Sequence, residues 1–261
     1  MPVARLQANN EQSAGAKPDD CRLPTGDFLM SDFVFSPFSW LTFDCYGTLI
    51  DWDRGILFTL RPVLAAHGRN LSDVGILELF AAIERIEEAG EYRTYRQILE
   101  GVMTKIAARL AFRISSQEVR ALPDSLGNWA PFPDTVAALR QLKKRYKLAV
   151  ISNTDDDLFV RTAAHLEVPF DAVITAQQAR SYKPSLNNFR LALERLGARR
   201  EQVLHVAQSL YHDVAPANEL GIASVWVNRR GRPGASGGAV GTAKPDLVVP
   251  DMATLAAMAV S

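Results

Sequence analysis

The sequence lacks three features that would place it in a specialised class of protein. No apolar run approaches the length of about 18 residues that a membrane-spanning helix requires. Only two cysteines are present, Cys21 and Cys45, and they do not make a disulfide framework. The net charge is zero, because 29 lysine and arginine residues balance 29 aspartate and glutamate residues. We therefore expect a protein of the reducing cytoplasm whose partners are neither nucleic acids nor membranes.

Two segments lack a regular apolar pattern. Residues 1–35 are rich in Asn, Gln, Ala, Gly, Pro and Asp, which predicts a disordered N-terminal tail without the apolar stretch of a secretory signal. Residues 231–242 are rich in glycine and predict a flexible surface loop. The rest of the 261 residues is long enough for one large domain or two smaller ones.

Short apolar runs alternate with helical patterns along most of the chain. The runs, which predict strands buried on both faces, are 40–44, 148–152, 172–175, 203–206, 224–227 and 246–249. Helical spacing covers 133–146 and 186–196, and Gly197 follows the second as a C-terminal stop. This alternation is typical of an α/β fold with a doubly wound parallel sheet.

The interval between the first two predicted strands has helical patterns alone. One apolar stripe consists of Ile76, Leu79, Phe80, Ile83 and Ile86, and Glu84, Arg85, Glu87 and Glu88 lie opposite it. A second stripe runs from Ile98 to Leu110. We therefore predict an all-helical cap at 55–130, inserted after the first strand of a Rossmann-like core at 36–54 and 131–261. A module in that place is well positioned to cover a ligand site at the strand ends.

Polar side chains follow four of the predicted strands at their carboxyl ends. Asp44, Tyr46 and Thr48 follow the first strand, and Ser152 and Asn153 end the second. The third is followed by Lys183, and the fourth by Asp213. Ligands of open parallel sheets bind beyond these ends, so the sequence predicts that these groups converge on one site. Cys45 alternates to the opposite side of its strand and is predicted to be a small core residue.

Four segments in this order resemble the motifs of the haloacid dehalogenase superfamily. They are 43–49 (FDCYGTL), 151–153 (ISN), 182–184 (YKP) and 208–213 (QSLYHD). Their order and spacing fit over about residues 40–250, and the helical insertion resembles the cap of that superfamily. The resemblance implies a Rossmann-like core of the superfamily's type with a helical cap.

The subfamily is indicated by two positions in these motifs. Phosphatases of the superfamily carry a second aspartate, which protonates the leaving oxygen, where this chain has Tyr46. They also hold magnesium with an acidic residue where this chain has Gln208. The D-x-Y-G-T form instead resembles the 2-haloacid dehalogenases, which use neither metal nor cofactor. A halide leaves as an anion and needs no proton donor.

The resemblance implies a role for each candidate residue. Asp44 would displace halide from a short 2-haloalkanoic acid, a small anionic substrate, and form an ester that water hydrolyses. Lys183 would lower the pKa of Asp44, and Asp213 would position Lys183 or the water. Thr48 and Ser152 would hold carboxylate oxygens. Tyr46 and Asn153 would contact the substrate, with Tyr46 against the halogen-bearing carbon.

Several points stay open at the sequence level. The related enzymes receive the halide on a cap arginine, for which Arg85, Arg93 and Arg96 are candidates here. The family also makes a homodimer an expectation. Two other functions compete with dehalogenation: a magnesium-dependent phosphatase of the same superfamily, and a catalytically idle binding module. The four histidines share no metal-ligand spacing and are interpreted as structural or surface residues.

Overall fold

The computed structural model of the chain describes residues 33–229 and 243–261. In this part of the chain, parallel strands form a sheet in the order β3-β2-β1-β4-β5-β6. The strands are β1 Trp40–Phe43, β2 Lys147–Ser152, β3 Ala172–Thr175, β4 Val203–Ala207, β5 Ala223–Val227 and β6 Leu247–Val249. Each coincides with one of the apolar runs, so the predicted α/β fold with a parallel sheet is confirmed.

Helices connect the strands. Before β2 lie α1 Trp52–Ala66, α2 Asp73–Glu88, α3 Tyr95–Arg109, α4 Ser116–Val119, α5 Ala121–Ser125 and α6 Thr135–Leu142. After β2 lie α7 Asp156–Leu166, α8 Ala176–Ala179, α9 Leu186–Leu196, α10 Ala215–Leu220 and α11 Met252–Val260. The predicted helix 186–196 has the bounds of α9, and Gly197 ends it with a φ of 57°. The predicted helix 133–146 is shorter in the structure, as α6.

The sheet is buried on both faces, as its apolar strands require. On β2, Ala149 and Ile151 pack with the helices α9 and α10 on one face. Leu148 and Val150 alternate to the other face, where they join the core formed with α6 and α11. This alternation explains why the strands read as nearly continuous apolar runs, in which Thr42 and His205 are buried polar exceptions.

Helices α1 to α5 form the insertion after β1. The two places where the chain passes between sheet and insertion lie side by side, since Asp51 N donates to Ala130 O at 2.9 Å and Phe132 N donates to Leu49 O at 3.0 Å. No strand interrupts the described residues between β1 and β2. The all-helical insertion after the first strand is therefore confirmed. Its bounds of 55–130 remain a prediction, and α1 begins at Trp52, slightly before the predicted first residue.

The polar face predicted for α2 is partly wrong. Ile86, assigned to the apolar stripe, is 61% exposed, whereas Glu87 is 3% exposed. Burial of Glu87 is offset by two cations, because Arg93 Nη2 lies 2.6 Å from its carboxylate and Lys105 also pairs with it. The helix is thus rotated by about one residue from the simple stripe, which brings Glu84 and Glu88 to partly buried positions as well.

Some of the remaining predictions concern residues that the structure does not describe. The predicted tail lies outside the described residues except for 33–35, of which Phe35 is buried and packs against the core. The predicted loop at 231–242 lies wholly outside them. Cys45 is fully buried, as expected of a core residue. No helix of the described residues is long and apolar enough to cross a membrane.

Candidate active site

The two aspartates of the site follow the neighbouring strands at which the sheet order reverses. The chain runs outward from β1 through β2 and β3 on one side and from β4 through β5 and β6 on the other. Asp44 follows β1, and its N–H donates to Val206 O at 3.1 Å. Asp213 lies in a π-helical turn, Leu210–Val214, which begins directly beyond β4. This is the place where open parallel sheets bind ligands.

Lys183 lies between the two aspartates. Its Nζ donates to Asp44 Oδ1 at 2.9 Å, to Asp213 Oδ1 at 2.6 Å and to Ile151 O at 2.8 Å. All three protons of the ammonium are therefore used, and the residue is only 2% exposed. The sequence placed these three residues in one site, and the structure brings them into direct contact.

The single ammonium does not compensate both carboxylates equally. Burial alone would raise the pKa of Asp213, but Lys183 and a hydrogen bond from His205 outweigh burial and lower it to about 2. For Asp44 burial prevails over Lys183, with help from the charge of Asp213, and the pKa is raised. Burial opposes the charge of Lys183, but the two aspartates raise its pKa. Lys183 thus lowers the pKa of Asp44, as expected, but the net change in that pKa is upward because burial outweighs the lysine.

Thr48 links the loop after β1 to the end of β4. Its Oγ1 donates to Asp44 Oδ2 at 2.6 Å and accepts from Gln208 N at 2.9 Å. The tight turn between Asp44 and Thr48 needs Gly47, whose φ is 92°, a conformation that side chains with a Cβ rarely adopt. Both oxygens of Asp44 are therefore held, one by Lys183 and the other by Thr48.

Arg229 supports this loop from behind. Its Nε donates to Thr48 O at 2.9 Å, and Nη1 pairs with Asp134 Oδ1 at 3.1 Å. The guanidinium also lies over the ring of Phe132, 3.8 Å from its centroid. Nothing in the sequence motifs pointed to Arg229, because its contact is with a backbone carbonyl.

The two candidates at the end of β2 differ in their surroundings. Asn153 Oδ1 accepts from Lys183 N at 2.7 Å, and its Nδ2 donates to Lys183 O at 3.2 Å. The amide thus fixes the backbone that carries the ammonium, while its expected contact with substrate stays a prediction. Ser152 is fully buried, and its Oγ has no hydrogen-bond partner among the described residues. A buried hydroxyl of this kind is suited to a ligand oxygen.

Tyr46 is held by the helix that follows β2. Its hydroxyl lies 2.8 Å from Thr162 Oγ1, on α7. The ring meets Trp129 edge to face, with centroids 6.2 Å apart. Burial raises the pKa of Tyr46, so the phenol is neutral. A neutral phenol bound in this way is a fixed apolar wall and a poor substitute for the aspartate of a D-x-D motif.

His205 is the residue that the sequence interpretation missed. It lies on β4, fully buried, with Nε2 3.0 Å from Asp213 Oδ1 and Nδ1 2.9 Å from Thr42 Oγ1. Thr42 is its register partner on β1. A signal was present, because an imidazole inside a continuous apolar run requires hydrogen-bond partners there. The interpretation of His205 as a structural residue was correct, but one of its hydrogen-bond partners is Asp213, a residue of the site.

Two of the three cap arginines are engaged elsewhere. Arg93 pairs with Glu87, and Arg96 Nη2 lies 2.8 Å from Asp157 Oδ2. Arg85 is exposed on α2. It is near enough to His212 to contribute, after burial and together with Lys183, to lowering the pKa of that histidine to about 4. None of these contacts places a guanidinium beside Asp44.

The donor set at the strand ends does not fit a magnesium ion. The inward oxygens of Asp44 and Asp213 both accept from Lys183, and position 208 offers an amide instead of a carboxylate. Magnesium prefers carboxylate oxygens, and the Lys183 ammonium, which already lies between the two aspartates, would repel the ion. Within 33–229 and 243–261, no group of three or more His, Cys, Asp or Glu side chains could hold a metal.

Comparison with known proteins identifies the family of the chain. A model described as haloacid dehalogenase-like hydrolase matches residues 38–221. An (S)-2-haloacid dehalogenase of Pseudomonas putida is 25% identical over 198 residues, which cover 75% of this chain and 88% of the relative. Haloacetate dehalogenase H-2 of a Moraxella species is 26% identical over 201 residues, covering 73% and 86%. The solved structure of a defluorinating L-2-haloacid dehalogenase has a TM-score of 0.74 and 22% identity, covering 86% and 96%.

These matches define the class of protein first. The matching family model describes a hydrolase, and the chain has a parallel sheet with a helical insertion after β1. Because the family model covers more than half of the chain, the protein is a member of the haloacid dehalogenase-like hydrolase family.

Proposed function

We propose that the protein is a metal-independent hydrolytic dehalogenase of short 2-haloalkanoic acids, with Asp44 as its nucleophile. The observation that carries this proposal is the lysine shared by two aspartates. Lys183 and Thr48 each hold one oxygen of Asp44, so the carboxylate has a fixed direction. Two of the similar proteins are named as a 2-haloacid dehalogenase and a haloacetate dehalogenase, which supports the same substrate class here.

The first step is a displacement at carbon. A carboxylate oxygen of Asp44 forms a C–O bond as the C–halogen bond breaks, and the electron pair leaves with the halide. The raised pKa of Asp44 makes its carboxylate a better nucleophile once ionised, and Lys183 keeps the ionised form accessible. Ser152 Oγ and Asn153 lie at the neighbouring strand end, where they would meet the substrate.

The second step restores the enzyme. Water adds to the carbonyl carbon of the aspartyl ester, the ester C–O bond breaks, and a 2-hydroxy acid leaves together with one proton. Asp213 Oδ1 already accepts from both Lys183 and His205. We therefore assign Asp213 the task of holding Lys183, in preference to activating the water.

Halide release tests this function. Purified protein is incubated with 2-chloropropionate, 2-bromopropionate and fluoroacetate in the presence of chelator, and free halide is measured. We expect release with at least one acid, and a loss of about 10³-fold or more in Asp44→Asn because the nucleophile is removed. Asp51→Asn is the matched control, since Asn preserves the helix cap that Asp51 provides to α1.

Single-turnover labelling tests the ester itself. In water labelled with heavy oxygen and with enzyme in excess, the label is expected in Asp44 and not in the first product. Direct labelling of the hydroxy acid would contradict the ester. Hydrolysis of phosphate esters that chelator abolishes, without halide release, would instead support the phosphatase, and inactivity in both assays would support the binding module.

A further inference from the structure

The cap presents an acidic residue to Asn153, directly after the end of β2. Glu88 is the last residue of α2, and its Oε1 lies 3.5 Å from Asn153 Nδ2. The same amide holds the backbone of Lys183. One turn earlier, Glu84 Oε1 accepts a hydrogen bond from Tyr95 OH at 2.7 Å. A cap carboxyl group therefore lies within hydrogen-bond distance of Asn153, beside the proposed active site.

This arrangement conflicts with an anionic substrate if the carboxyl is ionised. Asp44, Lys183 and Asp213 together already carry one net negative charge. Neither Glu84 nor Glu88 has an ion pair with a cation in the part of the chain that the structure describes. A carboxylate at Glu88 would repel the substrate, whereas a neutral carboxylic acid would offer it an O–H donor.

A second observation indicates that a ligand belongs at this place. Ser152, next to Asn153 at the end of β2, is 0% exposed, and no described residue bonds its Oγ. Buried hydroxyls rarely remain unpaired. A carboxylate bound between Ser152 and a protonated Glu88 would satisfy both groups.

We propose that Glu88, as a neutral carboxylic acid, is the cap's hydrogen-bond donor to the substrate carboxylate. This inference rests on the proposed function for its substrate class, a small monocarboxylate. It assigns Glu88 a binding role and leaves the displacement to Asp44.

The surroundings of Glu88 favour its neutral form. Burial, followed by the like charge of Glu84, raises its pKa well above the ordinary value, and Lys183 and Asn153 oppose this only in part. Burial likewise raises the pKa of Glu84 to about 7, against the hydrogen bond from Tyr95. The titratable groups that face the pair are Lys183, Tyr95 and Tyr182, and Tyr92 and Arg180 line a cavity together with Glu88. The two glutamates together therefore retain a proton near neutral pH.

Binding of propionate, which cannot react, tests the inference without the reaction. Its affinity is measured by calorimetry from pH 6 to pH 8 in two buffers of different ionisation enthalpy. We expect affinity to fall by about tenfold over this range as the pair loses its proton, with proton uptake on binding at pH 8. Glu78→Gln, on the exposed side of the same helix, is the matched control and is expected to follow the wild type.

Two variants of Glu88 separate a donor from a repelling charge. Glu88→Gln keeps a donor that does not titrate, so its propionate binding is expected to depend on pH less than that of the wild type, with Glu84 as the remaining titrating group. Glu88→Met has a similar length but no donor, and at pH 6 we expect it to bind about tenfold more weakly than the wild type. If Met binds as tightly as Gln, the donor role is wrong and Glu88 only repels. Absence of halide release with normal propionate binding would refute the proposed function alone.

Discussion

The strand ends of the sheet and the α2 helix of the cap handle buried charge in different ways. At the strand ends, every proton of the Lys183 ammonium has an acceptor, and two aspartates surround it. On α2, Glu84 and Glu88 are partly buried, and each has one hydrogen bond in the described structure. The first arrangement is complete before any ligand arrives, whereas the second is completed by a proton or a ligand.

The difference indicates a division of labour. The pre-formed network fixes the direction of Asp44 and does not need to change during binding. The cap carboxyls respond to pH and to the charge of the substrate, because a proton can neutralise them at little cost. We therefore expect substitutions in the network to affect stability and reaction together, and those in the cap to affect binding.

The largest effect is expected when the central charge of the network is removed. Lys183→Met leaves Asp44 and Asp213 buried together without a cation, which is expected to cost about 3–5 kcal/mol of unfolding free energy and to abolish halide release. Urea unfolding measures the first effect. Lys144→Met, at an exposed position outside the network, is the control. Equal stability of the two variants would show that the network is not balanced as described.

A smaller effect is expected at the outer end of the network. His205→Phe removes the donor to Asp213 and leaves Thr42 without its buried partner, at an expected cost of about 1–3 kcal/mol in urea unfolding. The pKa of Asp213 should rise, which would move the acid limb of halide release to higher pH. His205→Gln, which can still donate, is expected to recover part of both changes. If the acid limb shifts in neither variant, His205 contributes to packing and does not affect the pKa of Asp213.

The smallest effect is expected in the cap. Arg93→Ala removes one of two cations from Glu87, and since the arginine side chain is 43% exposed we expect a loss below about 1 kcal/mol. The KM for 2-chloropropionate should not change, because Arg93 faces Glu87 and not Asp44. An increase in KM of tenfold or more would identify Arg93 as a ligand of the halide. The cap would then supply a cation to the site, contrary to the description above.

The sheet was predictable because its local signals agree with its packing. Strands buried on both faces are mostly apolar, so the polar residues that follow them are easily recognised, and the motifs there could be located by counting residues. Asp44, Lys183 and Asp213 follow three different strands, yet the topology of a parallel sheet brings such ends together.

The cap was less predictable because burial there depends on pairing. A stripe of apolar residues assigns Ile86 to the interior and Glu87 to solvent, and the structure has the reverse because Arg93 and Lys105 neutralise Glu87. The same limitation concealed Glu84 and Glu88 as groups near the site. His205 was missed for a related reason, since its importance lies in hydrogen bonds to Asp213, in the turn beyond β4, and to Thr42, its register partner on β1.

Because Lys183 is shared by Asp44 and Asp213, the net charge of the three side chains changes during turnover. Before the reaction, one ammonium serves two carboxylates, and the trio carries an excess negative charge. In the proposed ester, Asp44 is neutral, so Lys183 and Asp213 become a balanced pair, and the excess charge leaves with the halide. Hydrolysis returns the charge to Asp44 as the hydroxy acid forms. The trio therefore alternates between an anionic state that attacks and a neutral state that awaits water, without any change in the protonation of Lys183.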